Sequence, residues 1–278
     1  MTTTLRPSGP LRQGADGARS RGYDVCVNSR RVGAVEVRTS PDFGAAIGEI
    51  GDLRIDERDR RRGRGAVAAL AAEEVLRGWG CRQVRISVPA ASPHAQRLAV
   101  SLGYVERSRN MVKELGAAPP LPPDVEVRRM AAGEYEEWAA RSQQEFARSW
   151  VERGVPEAQA RAKAEASMRE NLPLGLDTPD TDISVALHEG ALAGYLWTGV
   201  RDLEPGRRGG FVYDIEVTEA LRGRGFGRTL MLLAEHRALR AGTDRLGLHV
   251  FAGNAPALGL YASLGYATTH VNSFKTLI

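Results

Sequence analysis

Cysteine, long apolar runs and aromatic side chains are all scarce in this chain of 278 residues. Its two cysteines, Cys26 and Cys81, stand far apart with no Cys or His at ligand spacing beside either. That excludes a disulfide framework or a zinc centre, predicts no metal, and leaves reduced structural thiols. No run approaches the ~18 apolar residues of a membrane span, and the opening MTTTLRPSGPLRQG holds no apolar stretch of about 7 to 15 residues that would mark a secretory signal. The expectation is a cytoplasmic protein without a membrane partner. Apolar residues make up 42% of the chain and charged ones 26%, a globular composition able to bury sizeable cores.

The net charge of +4 is uneven. Residues 1–115 carry 20 Lys and Arg against 13 Asp and Glu, whereas residues 116–278 carry 18 against 21. A basic half invites a nucleic-acid partner. Against it, Asp56, Glu57 and Asp59 interrupt the arginine run, and only Tyr23, Phe43, Trp79 and Tyr104 supply aromatic faces there. Nucleic acid is therefore not the expected partner.

What the chain does have is a repeat. Shifted on itself by 162 residues, it lays Asp52–Leu115 over Asp214–Leu277 without a gap, with 21 of 64 positions identical. Arg60, Arg62, Gly63 and Gly65 fall on Arg222, Arg224, Gly225 and Gly227, and Ser101–Tyr104 falls on Ser263–Tyr266. Asn110 and Lys113 fall on Asn272 and Lys275, so the last strands correspond too. Two copies of one fold follow. Four prolines within Gly116–Pro123 predict a stiff connector between them. The expected organisation is a shortened domain over 1–115, a proline-rich linker over 116–123 and a complete domain over 124–278.

In the second copy, periodicity predicts a strand at Val125–Val127, then helices over 131–154 and 156–171, with Pro156 in a first turn. A hairpin about His188–Gly190 joins strands at Ile183–Leu187 and Leu192–Thr198, and a further strand covers Phe211–Val217. A helix over Gly227–Leu239, a strand at Leu246–Phe251, a helix over Ala255–Leu264 and a final pair of strands complete the copy. On the first long helix, Glu134, Glu136, Glu137 and Glu145 with Arg141 and Arg148 read as a solvated charged face. The first copy has only 17 residues between Leu5 and its strand at Tyr23–Val27, too few for the two early helices.

Arg222-Gly223-Arg224-Gly225-Phe226-Gly227 lies where a strand ends and a helix begins. Glycines there allow close backbone approach, and the amides and helix dipole favour an anion, most naturally a pyrophosphate. Arginines add charge-assisted bonds. The Arg-x-x-Gly-x-Gly spacing occurs in both copies, each time before an alanine- or leucine-rich helix.

This loop resembles the signature of the GNAT family of N-acetyltransferases. Leu172–Thr178, Tyr213–Val217 and Leu248–Asn254 are similar to one bacterial subgroup of it, and the whole chain resembles a tandem GNAT protein. The resemblance implies an α/β (α+β) fold: two GNAT-type domains, each a mixed, mostly antiparallel twisted sheet flanked by helices, the first lacking the early helices. It also implies acetyl-CoA as donor and a primary amine, small molecule or peptide, as acceptor. The cofactor-binding set would be Val217, Arg222, Gly223, Arg224, Gly225, Phe226, Gly227, Arg228, Thr229 and Asn254, with the Val217 amide polarising the thioester carbonyl.

The resemblance points to Tyr261, seven residues after Asn254, as the acid that protonates the departing thiolate; its spacing also suits simple packing. His249 occupies a strand position where some relatives carry a glutamate base, and reads either as a proton relay or as a strand histidine without catalytic duty. Glu216 shares a sheet face with Asp214 and is placed to attract or deprotonate an ammonium; Asp214, repeated by Asp52, reads as structural. In the first copy these positions become Ala99, Ser87 and Arg54, and Asn254 becomes Ser92, so that copy is expected to be catalytically silent, with or without bound CoA. An acyl-CoA-binding module without turnover is the alternative for the whole chain, and both a monomer with domains as a pseudo-dimer and a homodimer stay open.

Overall fold

The computed structural model describes residues 2–14, 17–40, 44–117, 120–152 and 154–277; Phe43 and the connector residues Ala118 and Pro119 lie outside them. The chain divides into two compact units, Met1–Ser108 with His270–Ile278, and Arg109–Thr269. Among the described residues no helix is long and apolar enough to cross a membrane.

The first unit opens with β1 (Thr3–Pro7) and the short β2 (Arg12–Gln13), then runs β3 (Arg19–Val27), β4 (Arg30–Ser40), β5 (Gly44–Ile55), α1 (Arg64–Gly78), β6 (Gln83–Pro89) and α2 (Pro93–Ser101). Among the described residues no helix lies between β1 and β3, as the short spacing requires. The second unit is fuller: β8 (Val125–Arg129), α3 (Ala132–Val151), α4 (Glu157–Asn171), β9 (Thr181–His188), β10 (Ala191–Glu204), β11 (Arg207–Val217), α5 (Phe226–Arg240), β12 (Arg245–Phe251) and α6 (Ala255–Ser263). α1 and α5, β6 and β12, and α2 and α6 each begin and end at positions related by the sequence offset. Pro156 is the N-cap of α4 rather than a first-turn residue.

Two strands remain, β7 (Val105–Glu114) and β13 (Ala267–Thr276). The expected final pair of strands after α6 is therefore one uninterrupted strand: Ala267–Thr276 contains neither Gly nor Pro to turn it back. In the first unit the sheet order is β1-β3-β4-β5-β6-β13, and in the second β7-β12-β11-β10-β9-β8. β13, from the end of the chain, thus closes the sheet of the first unit, pairing antiparallel with β6 from His270↔Pro89 to Thr276↔Gln83. β7, from the end of the first repeat, takes the same place beside β12 in the second.

Each unit has its own core. In the first, Val25, Val32, Val35, Val37, Ala72, Leu76 and Val84 are buried. In the second, Leu196, Leu230, Met231, Leu233, Leu246 and Leu248 pack between the sheet and α5. At roughly 1.5–3 kcal/mol for each large aliphatic side chain buried, such clusters set the position of every element around the cleft described next. The second unit carries another cluster under α3 and α4, built on Trp138, Leu172, Ile183, Val185 and Trp197.

Candidate active site

In the second unit β11 and β12 pair in parallel only from Gly210↔Leu246 to Val212↔Leu248. Beyond Val212 no pair joins them, so Tyr213–Val217 and His249–Phe251 form the two edges of a wedge. The break coincides with a bulge in β11: Trp197 faces Asp214 while Thr198 faces Val212, leaving Tyr213 as the extra residue. In the first unit β5 and β6 likewise stop pairing early, after Glu49↔Arg85, one residue short of the corresponding place.

The glycine loop follows β11. Gly223 at φ 75 and Gly225 at φ 93 hold the left-handed backbone that L side chains resist, and Gly225 is the N-cap of α5. The amides of Gly223, Arg224, Gly225 and Phe226 have no acceptor among the described residues. Arg222 Nε donates to the Val217 carbonyl at 3.2 Å, pinning the loop to the strand edge. Arg228 Nη2 donates to Ser263 Oγ at 2.7 Å, tying α5 to α6. The side chains of Phe226 and Thr229 are buried, so these two residues can offer a ligand their backbone only. Asn254 caps α6, its Oδ1 accepting from the Ala257 amide at 3.2 Å.

Tyr261, on α6, is buried with its ring 6.0 Å from that of Tyr266. Burial, aided by the nearby Asp214 carboxylate, pushes its phenol up to about 12. Across the sheet, α3 presents Trp138, Arg141, Ser142 and Glu145, at helical spacings of three and four. Ser142 Oγ donates to Asp214 Oδ2 at 3.2 Å, and Arg141 Nη2 donates to Glu216 Oε2 at 3.3 Å. The Arg141 guanidinium also lies 5.0 Å over the Tyr195 ring. Burial raises the Asp214 carboxyl to about 6, a shift opposed by the Ser142 hydroxyl and reinforced by Glu216 and Glu145. Trp197 stacks on Tyr213 at 4.7 Å, giving this face an aromatic wall.

His249 is exposed on β12, and its Nδ1 donates to Asn110 Oδ1 of β7 at 2.9 Å. The structure thus brings Tyr261 and Glu216 to the wedge together with Asp214, while His249 sits on the opposite edge. Of the α3 residues read as a solvated face, Glu136, Glu137, Glu145 and Arg148 are exposed, whereas Glu134 is half-buried and bonded by Arg128 and the Ala131 amide, and Arg141 turns inward onto β11 with its neighbour Ser142. Asn110 and Ser142 are partners that sequence reasoning missed; the spacing of Trp138, Arg141, Ser142 and Glu145 on one helical face was the available signal.

The first unit repeats the loop without the rest. Gly63 has φ 72 and Arg61 φ 59, matching Gly225 and Gly223, and Arg60 Nε donates to the Ile55 carbonyl at 2.8 Å as Arg222 does to Val217. Asp52, the counterpart of Asp214, is exposed and paired with Arg54 at 2.7 Å. Glu49 is buried and held by Arg38, Arg85 and Ser40. Among the described residues no group of three or more His, Cys, Asp or Glu is placed to hold a metal ion.

Comparison with known proteins agrees with this architecture. The family model "Acetyltransferase (GNAT) family" matches residues 6–104 and 135–266, one segment in each repeat. The uncharacterized N-acetyltransferase YdgE of Bacillus subtilis (strain 168) is 32% identical over 53% of this chain and 95% of its own length. A mycothiol acetyltransferase of Salinispora arenicola (strain CNS-205) is 31% identical over 84% of this chain and 74% of its own. Among solved structures, a tandem GNAT protein from the clavulanic acid biosynthesis pathway superposes with a TM-score of 0.52 at 19% identity, covering 95% of this chain and 85% of that one. With both repeats matched, the chain belongs to the GNAT family of acetyltransferases and is an N-acetyltransferase.

Proposed function

We propose that the second unit transfers an acetyl group from acetyl-CoA to a primary amine by direct attack in a ternary complex. Acetyltransferases of this family use acetyl-CoA, and the single observation that carries the reading here is the set of open amides at Gly223–Phe226, heading α5 at the end of the β11 wedge. Four N–H groups without an acceptor among the described residues, a helix N-terminus and the exposed Arg224 suit the charge of a pyrophosphate. Pantetheine would then run along the unpaired edge Tyr213–Val217, with the Val217 amide at the thioester carbonyl, stabilising charge that develops only as the tetrahedral intermediate forms.

Tyr261 supplies the proton that the departing sulfur needs. Glu216, balanced by Arg141, keeps the acceptor face attractive to an ammonium, and the exposed His249, bonded through Nδ1 to Asn110, exchanges protons with solvent. CoA release measured with a thiol reagent across a panel of amines tests this: turnover with at least one amine is expected, and binding of acetyl-CoA without release for any amine overturns it.

For the first unit a second reading is favoured by the matching backbone at Arg61 and Gly63 together with the absence of a tyrosine at Ala99: donor binding without turnover. Calorimetric titration distinguishes the cases, with two acetyl-CoA sites per chain supporting it and one site refuting it.

A further inference from the structure

We propose that Asp214 is the group that takes the proton from the acceptor ammonium. This rests on the reading of the second unit as the acetyl-transferring site and adds to it the residue that makes the amine nucleophilic.

The geometry singles out this carboxylate. Asp214 lies just past the point where β11 and β12 cease to pair and next to the bulged Tyr213, so it stands on the strand edge along which the thioester would lie. Its donors among the described residues are the Ser142 hydroxyl, at 3.2 Å, and the Ile215 amide, both neutral groups. Glu216, two residues on, is instead paired with an arginine, Arg141. The groups facing Asp214 are Glu216 on its own strand, Ser142 and Glu145 on α3, and Tyr261 on α6, with the Ile215 amide also donating to it. Burial, reinforced by the Glu216 and Glu145 carboxylates, favours the protonated form, and the carboxyl titrates at about 6, far closer to neutrality than an ordinary aspartate.

The repeat supplies an internal comparison. In sequence, Asp52 argues that Asp214 serves whatever packing the two copies share. In the structure, Asp52 has side-chain exposure of 65% and is bonded to exposed Arg54, and among the described residues the first unit has no helix equivalent to α3. The two aspartates share a strand position and nothing of their surroundings, so common packing does not account for the burial of Asp214.

The step balances as follows. Asp214 accepts one proton from the ammonium, and the freed nitrogen pair forms the C–N bond while the carbonyl electrons move onto oxygen. On collapse the C–S bond breaks, Tyr261 protonates the sulfur, and the second nitrogen proton restores the tyrosine. Amide, thiol and one proton, shed from Asp214 to solvent, are the products. Burial raises both groups, the carboxyl to about 6 and the phenol to about 12, so that near neutrality the one can take up a proton while the other still holds its own.

The test compares wild type with Asp214→Asn, using the best acceptor from a panel of cadaverine, spermidine, glucosamine and a lysine peptide. Expected are an acid limb near pH 6 in kcat/KM that the variant lacks, a kcat reduced about 10²- to 10⁴-fold, and an unchanged Kd for acetyl-CoA. A variant keeping kcat within threefold, or keeping the limb, overturns the assignment while leaving the acetyl transfer standing. Independently of any acceptor, carbon-13 NMR of aspartate-labelled protein should show one carboxyl titrating near 6 that vanishes in the variant. An Asp214 carboxyl titrating near the ordinary value of about 4 overturns the proposal even if no amine in the panel reacts.

Discussion

Lys113 Nζ donates to the buried Glu235 at 2.7 Å, and Lys275 Nζ donates to the buried Glu73 at the same 2.7 Å, the two pairs being one pair seen twice at the repeat offset. In each case a buried tyrosine completes the group: Tyr266 donates to Glu235 at 3.3 Å and Tyr104 to Glu73 at 3.0 Å. Glutamate and tyrosine come from one repeat and the lysine from the closing strand of the other. Removing such a lysine strands a carboxylate with side-chain exposure of 2% at Glu235 and 4% at Glu73.

Breaking a buried pair by deleting one partner costs about 3–5 kcal/mol. With the lysines still partly exposed, at 23% and 22%, the lower end of that range is expected for Lys113→Ala and Lys275→Ala. Urea denaturation measures it, and a loss below about 1 kcal/mol would mean that water replaces the ammonium. Residues 1–115 expressed alone lack both Lys275 and the strand that pairs with β6, so this fragment should show weak amide protection and aggregate through its open edge. Co-expression with 116–278 should recover soluble, protected protein.

Tyr261→Phe keeps the buried ring and removes one hydroxyl. The melting temperature should move by no more than about 2 °C and acetyl-CoA affinity by less than twofold, while kcat falls about 10²-fold or more. Because burial places the wild-type phenol at about 12, it stays protonated through the assay range, and no tyrosine limb should appear in the rate profile below pH 9. Full turnover in Tyr261→Phe with a genuine acceptor would leave the residue a packing role only.

Much of this is legible in the sequence. A gapless offset predicted paired helices that prove to begin and end in register, and the short spacing before Tyr23 excluded the early helices from the first copy. The exchange of β7 and β13 was not legible, because self-comparison shows that two strands correspond and says nothing about which sheet each joins. Arg141 and Ser142 were hidden by composition: a helix with many charges looks solvated until the strand it covers is known to carry Asp214 and Glu216. The left-handed Arg61 was equally silent, since arginine at that φ is a feature of context rather than of residue type.

Asp214 carries a stability signature whose sign is fixed by its surroundings. A carboxyl raised from 3.8 to about 6 by burial binds its proton more tightly folded than unfolded, so the stabilisation it contributes is full below pH 3.8 and lost as pH rises through 6. Two pH units correspond to roughly 3 kcal/mol. Asp214→Asn should therefore be more stable than wild type at pH 8 by an amount of that order and nearly equal to it at pH 4, as followed by urea denaturation at the two values. A structural aspartate would give the reverse, with the variant weaker at pH 8.

The loop prediction turns on backbone alone. Gly225 caps α5 at φ 93, where any Cβ is strained, although nothing lies within 4 Å of the place a Cβ would take. Gly225→Ala therefore meets no steric neighbour in the protein itself; its cost is the left-handed strain of about 1–2 kcal/mol, which the chain can relieve only by turning the amides of Arg224 and Phe226 away from one another. Acetyl-CoA affinity should fall tenfold or more by calorimetry, with thermal stability lowered only slightly. An unchanged Kd would remove the pyrophosphate from this turn.

His249 provides the last discrimination. With its Nδ1 bonded to Asn110 Oδ1 at 2.9 Å, the imidazole stands at an exposed edge, the place of a relay to solvent. A relay can be replaced by a small diffusing base, whereas a packing residue cannot. His249→Ala should thus lower kcat about tenfold in non-nucleophilic buffer of low concentration, and added imidazole should restore a large part of the loss without changing acetyl-CoA affinity. Asn110→Leu should give a smaller decrease with an altered pH profile, because the ring is then free to place its proton on either nitrogen. If His249→Ala turns over at the wild-type rate without imidazole, the protons leaving Asp214 reach water directly and His249 is a strand histidine.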